Sequence, residues 1–411
     1  MKKLYKNRLA LLLPLMLVVA LMSSCEDDDT GSPAIHYVRV ANPESSDSLL
    51  AGAFLGDLIV VVGENLGGAR ELWFNDKQAV LIPTYITDQA IFVDIPNQAP
   101  TEVTNTIQIV FKDGSTLAYD FEVAISEPVL SSMTHEYAEV GSTTTITGDF
   151  FFEPITVSFT GNVEASVEVV DQNTLQVTIP EGAQSGPLTV STNFGTTETS
   201  FHYKDERNIF LNYDDKNADG SWRPGLYVTD QHSLDGNYLK LSGNYSADSP
   251  REEGPVGDNH YESQFWGQAA GRPEGSLIPI PAEPQNYVLK FEAKVISWYA
   301  SYLNICFSPW DNAGNQEVWT NAFNPRAIWG PWAAADQNFD TGGRWITVTI
   351  PLTDFMYDMD MNDSDEVEYT PSATKWNPDN TGGLSFWVLA APMADNSPFE
   401  IYIDNVRIVE Q

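Results

Sequence analysis

The chain has 411 residues, with 57 Asp and Glu against 21 Lys and Arg, a net charge of −36. Its length suits roughly two to four domains, and an apolar content of 42 % is enough for real cores. So acidic a chain repels phosphate backbones, which excludes nucleic acid as a partner and suits a neutral ligand.

Residues 1–24 read as a targeting segment. Lys2, Lys3, Lys6 and Arg8 are basic, and the apolar run Leu11 to Leu21 is too short for a membrane span. Leu21-Met22-Ser23-Ser24-Cys25 resembles a bacterial lipobox, although Met22 stands where Leu is commonest. The resemblance implies lipidation of Cys25 and its exposure as the mature N-terminus. The acidic tether, residues 25–34, starts with Glu26-Asp27-Asp28-Asp29. That cluster resembles the surface-export signal of Bacteroidetes lipoproteins, which implies the outer face of the outer membrane. Cys306 is then the one remaining cysteine, so no disulfide framework is expected. It sits in an apolar-alternating run and reads as a core residue.

No long segment has helical periodicity. Short runs rich in Val, Ile, Thr and Phe alternate with Gly, Pro, Asn and Asp, which predicts an all-β chain. Gly56-Asp-Leu-Ile-Val-Val-Val-Gly63 matches Gly141-Ser-Thr-Thr-Thr-Ile-Thr-Gly148, and Ile91-Phe-Val-Asp-Ile-Pro96 matches Leu175-Gln-Val-Thr-Ile-Pro180. The copies lie roughly 80–85 residues apart, the length of one small sandwich. This repeat resembles the immunoglobulin-like IPT/TIG domain, over 35–125 and again over 126–204. The resemblance implies two β-sandwiches, which would hold the rest of the chain off a membrane. Trp73 is expected between the sheets of the first. His36, His135 and His202 read as ordinary surface or edge residues.

The composition shifts at about residue 205. Apart from Trp73, all of the 11 Trp lie beyond it. Tyr287–Val295, Arg344–Ile350, Leu384–Leu389 and Phe399–Val409 read as strands, the last with clean period-2 alternation. The strand Trp345-Ile-Thr-Val-Thr-Ile-Pro-Leu and the closing Tyr402-Ile-Asp-Asn-Val-Arg-Ile resemble jelly-roll carbohydrate-binding modules, so 205–411 is expected to be a jelly-roll β-sandwich. In order of parts the chain resembles the surface glycan-binding lipoproteins that accompany SusC/SusD-type transporters in Bacteroidetes. The resemblance implies non-catalytic capture of a polysaccharide at the cell surface, of the xyloglucan or other β-glucan class, with a SusC/SusD-type complex as partner.

The segment from Trp298 to Trp332 is rich in flat rings with little charge among them. Such rings suit the apolar face of a pyranose, each contributing on the order of 0.5–1.5 kcal/mol. Trp298, Trp329 and Trp332, and after them Trp310 and Trp319, are the candidate stacking platform, because Pro, Gly or Asn flank them. Trp345 and Trp387 lie within strands and are set aside. Asn304, Asp311, Asn321 or Arg326 would bond sugar hydroxyls. Asp215-Lys-Asn217-Ala-Asp219-Gly220 matches half of a calcium loop, but Leu226 stands where the bidentate Glu belongs. No metal or cofactor is expected. No Gly-x-Ser-x-Gly, His-Glu-x-x-His or phosphate loop occurs. The rival readings are a paired-carboxylate glycoside hydrolase and a protein-binding adhesin.

Overall fold

The repeated glycine motif folds the same way twice. In the first copy Leu58–Glu64 pairs antiparallel with Ala34–Val40 and Ala90–Asp94. Register shifts between Ile35 and Tyr37, where a Cβ on Gly63 would overlap the Ala34 carbonyl oxygen. Only glycine lets the two backbones cross that closely. In the second copy register shifts between Leu130 and Ser132, and a Cβ on Gly148 would overlap the Val129 carbonyl oxygen. The turns match as well. Gly56 N–H donates to the Ile95 carbonyl at 3.0 Å, and Gly141 N–H donates to the Ile179 carbonyl at 2.9 Å. Each of those isoleucines is buried and precedes the proline that ends its strand.

The structure, a computed structural model, describes residues 31–45, 47–216, 226–246, 254–266, 281–308, 324–360, 368–377 and 383–411. Cys25 and the segment before it lie outside the described residues, as do Trp310, Trp319, Asp311, Asn321 and Asn217 to Gly220 of the partial calcium loop. The chain divides into two units, Met1–Ile125 and Ser126–Gln411. No α-helix occurs among the described residues; short 3-10 turns link the strands.

The first unit faces a sheet holding Ala34–Val40, Leu58–Glu64 and Ala90–Asp94 against one holding Ala69–Phe74, Thr106–Phe111 and Thr116–Asp120. Val38, Ile59, Val61, Leu72, Phe74, Ile107 and Ile109 fill the space between them. Trp73 departs from expectation. Its neighbours Leu72 and Phe74 point inward, so alternation turns Trp73 outward, half-buried, with its indole N–H donating to Glu71 at 2.9 Å.

The second unit holds two hydrophobic clusters. One, with Ile146, Phe159, Leu175, Val190 and Tyr203, fills a sandwich like the first. His135, expected near the surface, is 6 % exposed. The larger cluster lies between two sheets of a C-terminal jelly-roll sandwich. The large sheet runs in the order Leu226–Val228, Tyr238–Tyr245, Ser397–Glu410, Tyr287–Trp298, Ile346–Pro351. The small sheet runs Glu262–Trp266, Gly383–Ala390, Ser301–Ser308, Arg326–Trp329.

The closing strand does not alternate cleanly. Ile401 and Ile403 face the core, and so do Val406 and Ile408. Between them Asn405 takes φ 48, and register against Tyr287–Trp298 shifts between Lys290 and Glu292. This bulge restores the inward phase after one extra residue and sends both Asp404 and Arg407 outward.

The outward side of the large sheet is polar yet buried, because the second sandwich packs on it. Arg407 bonds Glu136 at 2.7 Å and Glu292 at 2.9 Å, and Lys290 bonds the other Glu136 oxygen. Thr347 donates its hydroxyl to Glu292 at 2.8 Å, accepts from Glu136 N–H at 2.9 Å, and donates its own N–H to the Thr134 carbonyl at 2.8 Å. Burial pushes the Glu292 carboxyl up, while Arg407 opposes the shift. Glu136, Lys290, Glu292 and Arg407 are each paired within this group, which is the condition for burying them.

Candidate functional site

Three of the five candidate indoles come together, but not as a platform. Trp298 is 0 % exposed and donates its indole N–H to Ser301 Oγ at 2.9 Å. Trp329 sits opposite Leu303, which faces the core, so it points inward at the open edge of the small sheet. It lies edge-on to Trp298 at 5.0 Å between centroids and to Phe291 at 5.6 Å. Trp332 is 2 % exposed; its N–H donates to the Ser301 carbonyl at 2.5 Å, and its ring lies against Tyr299 and Tyr302. Stacking needs a free ring face. The expectation is therefore corrected for Trp298 and Trp332, whose faces are used by the core. Flanking Pro, Gly and Asn describe the backbone; they do not say which side of the sheet a ring takes.

The small sheet offers a different arrangement on its outward side. Leu303, Ile305 and Phe307 face the core, so Tyr302, Asn304 and Ser308 point away, while Cys306, in the same phase, is buried with the apolar cluster. Register then defines rows across the strands. Glu262 stands beside Trp387, and Trp387 beside Asn304. In the next row Gln264, Ser385, Cys306 and Arg326 are consecutive neighbours. A sandwich normally presents such polar residues to water. Here Glu262, Gln264, Asn304, Ser308, Arg326 and Ser385 are all buried, at 5 % exposure or less.

Gln264 Oε1, Ser308 Oγ and Ser385 Oγ have no hydrogen-bond partner among the described residues. Buried polar atoms are seldom left unmet unless a ligand or water meets them. The electrostatics are mild. Arg326 lies 3.8 Å from Cys306 Sγ, and burial pushes the thiol up, so Cys306 is not a nucleophile. Lys375 is held below the ordinary lysine range by burial and by Arg326.

Asn304 and Arg326, named from sequence as hydroxyl partners, both belong to this face. Glu262, Gln264 and Ser385 were not foreseen, and Trp387 was set aside for lying within a strand. Their signal was present, since polar residues alternate with Leu303, Ile305 and Phe307 and with Leu384, Phe386 and Val388. Which rows they share depends on strand pairing. Amide, hydroxyl, carboxylate and guanidinium groups fixed side by side suit a hydroxyl-rich ligand, while Trp387, 4 % exposed, offers it no free ring face. Glu262 is the only carboxylate on these four strands' outward side among the described residues. Paired-carboxylate hydrolysis needs a second one.

Residues 203–410 match the family model described as surface glycan-binding protein B xyloglucan binding domain. An IPT/TIG domain-containing protein of Bacteroides ovatus is 33 % identical over 163 residues, 37 % of this chain. That match spans 33 % of the relative's length. Among solved structures, the surface glycan-binding protein PbSGBP-B from Prevotella bryantii superposes with a TM-score of 0.75 at 27 % identity, covering 92 % of this chain and 99 % of its own. An SGBP-B from a complex xyloglucan utilization locus in Bacteroides uniformis has a TM-score of 0.44 at 19 % identity, covering 93 % and 100 %.

Proposed function

Because this chain belongs to the surface glycan-binding protein B xyloglucan-binding-domain family, we propose that it captures a xyloglucan-type β-glucan at the cell surface without cleaving it. The observation that carries the reading is the outward face of the small sheet, where buried hydroxyl and amide oxygens of Gln264, Ser308 and Ser385 stand without partners among the described residues. A β-glucan chain supplies hydroxyls for those atoms. Trp329, Trp310 and Trp319 stay in the proposal as further stacking residues.

Lipidation at Cys25 would anchor the protein in the outer membrane, and delivery to a SusC/SusD-type transporter would follow capture. Calorimetric titration with xylogluco-oligosaccharides, mixed-linkage glucan, xylan and mannan tests the reading. Binding of the first or second is expected, with no reducing sugar released over a day. Silence across the panel would overturn it. Globomycin-sensitive processing of the precursor would test the anchor.

A further inference from the structure

The opposite side of the C-terminal sandwich carries a cleft. Where the second sandwich meets the large sheet, a cleft of about 510 Å³ remains. His135 and Lys204 line it from the second sandwich; Lys294, Arg344 and Trp345 line it from the C-terminal one. It lies on the outward side of the large sheet, so the core separates it from the face described above.

Lys294 is the informative residue. It shares a strand and an outward face with Lys290, four positions earlier. Lys290 bonds Glu136. Lys294 is 7 % exposed, yet among the described residues its ammonium has no ion pair or hydrogen bond. Only the more distant Asp230 and Glu139 attract it, and burial holds it below the ordinary lysine range. The ammonium itself keeps access to the cleft, and with no counter-charge in contact it is open to an anionic group of a ligand. His135 beside it is 6 % exposed with Nδ1 unpartnered. Burial, then Arg344, pushes its imidazole down to about 4, so it is neutral and can bond a hydroxyl. Trp345 is half-buried and held rigid: its N–H donates to the His232 carbonyl at 2.9 Å, and Tyr238 meets it edge-on at 5.8 Å.

Glu139, Glu206 and Asp235 also line the cleft, so its formal charge balances. Those carboxylates lie at exposed positions, and among the described residues none is ion-paired with Lys294. Together with the chain's charge of −36 they oppose a polyanion and leave room for one anionic substituent on an otherwise neutral ligand.

We infer that this cleft is a second saccharide site, which takes a sugar bearing a single carboxylate, a uronic acid. Trp345 receives the ring, Lys294 and Arg344 the carboxylate, and His135 a hydroxyl. The site goes beyond neutral β-glucan capture and is tested apart from it.

The mature chain is titrated calorimetrically with a glucuronate-substituted xylo-oligosaccharide, its unsubstituted counterpart and a neutral xylogluco-oligosaccharide. The uronate is expected to bind at least tenfold more tightly than its unsubstituted counterpart. Lys294→Met, which keeps length and removes charge, should weaken the uronate at least tenfold. Sodium chloride at high concentration should weaken it too, and both changes should leave the xylogluco-oligosaccharide unaffected. Arg344→Gln, at an exposed position, gives the same readout if the first variant folds poorly. No uronate binding, equal affinity for the unsubstituted chain, or uronate binding indifferent to both substitutions would each overturn the inference. Loss of xylogluco-oligosaccharide binding in wild-type protein bears on the small-sheet face instead.

Discussion

Gln264→Met with Ser385→Ala separates what the fold needs from what a ligand needs. The two residues are cross-strand neighbours on the small sheet, 2 % and 1 % exposed. Gln264 Oε1 and Ser385 Oγ have no partner among the described residues. A buried polar atom left unmet costs about 1–3 kcal/mol. Replacing each by an apolar group of similar shape removes that penalty, less up to ~1.5 kcal/mol for imperfect repacking. With a central penalty of about 2 kcal/mol per atom and that repacking loss at each, the pair should gain about 1–4 kcal/mol, and the C-terminal transition should rise by about 2–4 °C per kcal/mol. A glycan meeting those atoms would lose two hydrogen bonds of about 0.5–1.5 kcal/mol each, roughly five- to 150-fold in affinity. Differential scanning calorimetry and titration with xylogluco-oligosaccharides measure the two effects on one sample. A lowered transition would refute the claim that the atoms are unmet. A raised transition with unchanged affinity would refute their role in binding.

Asp404 should make stability pH-dependent. It is 0 % exposed, and burial followed by Asp235 pushes its carboxyl up to about 9. The folded value lies above the unfolded one, so the contribution is fully present below about pH 4 and is lost as pH rises through 9. The slope is roughly 1.4 kcal/mol per pH unit, and Asp404→Asn should flatten it in urea melts at pH 5, 7 and 9; an unchanged slope counts against the assignment. Glu136→Ala strands Lys290 and part of Arg407 and should cost about 3–5 kcal/mol by denaturant unfolding, against near-neutrality if the junction is loose. Gly148→Ala forces a Cβ onto the Val129 carbonyl oxygen and should cost about 1–3 kcal/mol or more, whereas a loss under 0.5 kcal/mol would mean the strand crossing relaxes.

The sequence by itself determined the all-β class, the repeat and its glycines, and the buried character of Cys306. These are local facts. Period-2 patterning and a residue's tolerance of close backbone approach belong to a few neighbouring positions, so they can be read along the chain. The alternation of Asn304 and Ser385 with apolar neighbours was equally legible. The tertiary structure decided which face each ring took. Trp332 looks like a surface ring when judged by Gly330 and Pro331, and Trp298 when judged by its place at a strand end, yet pairing turns Trp298 into the core and packs Trp332 on Tyr302. Trp73 errs the other way for the same reason. A bulge at Asn405 shifted the phase of the closing strand and aimed Arg407 at Glu136, a residue 271 positions away. His135, Lys294 and Trp345 share a cleft only because two sandwiches meet there. Contacts between residues so far apart depend on register and packing, and no window of sequence contains both partners.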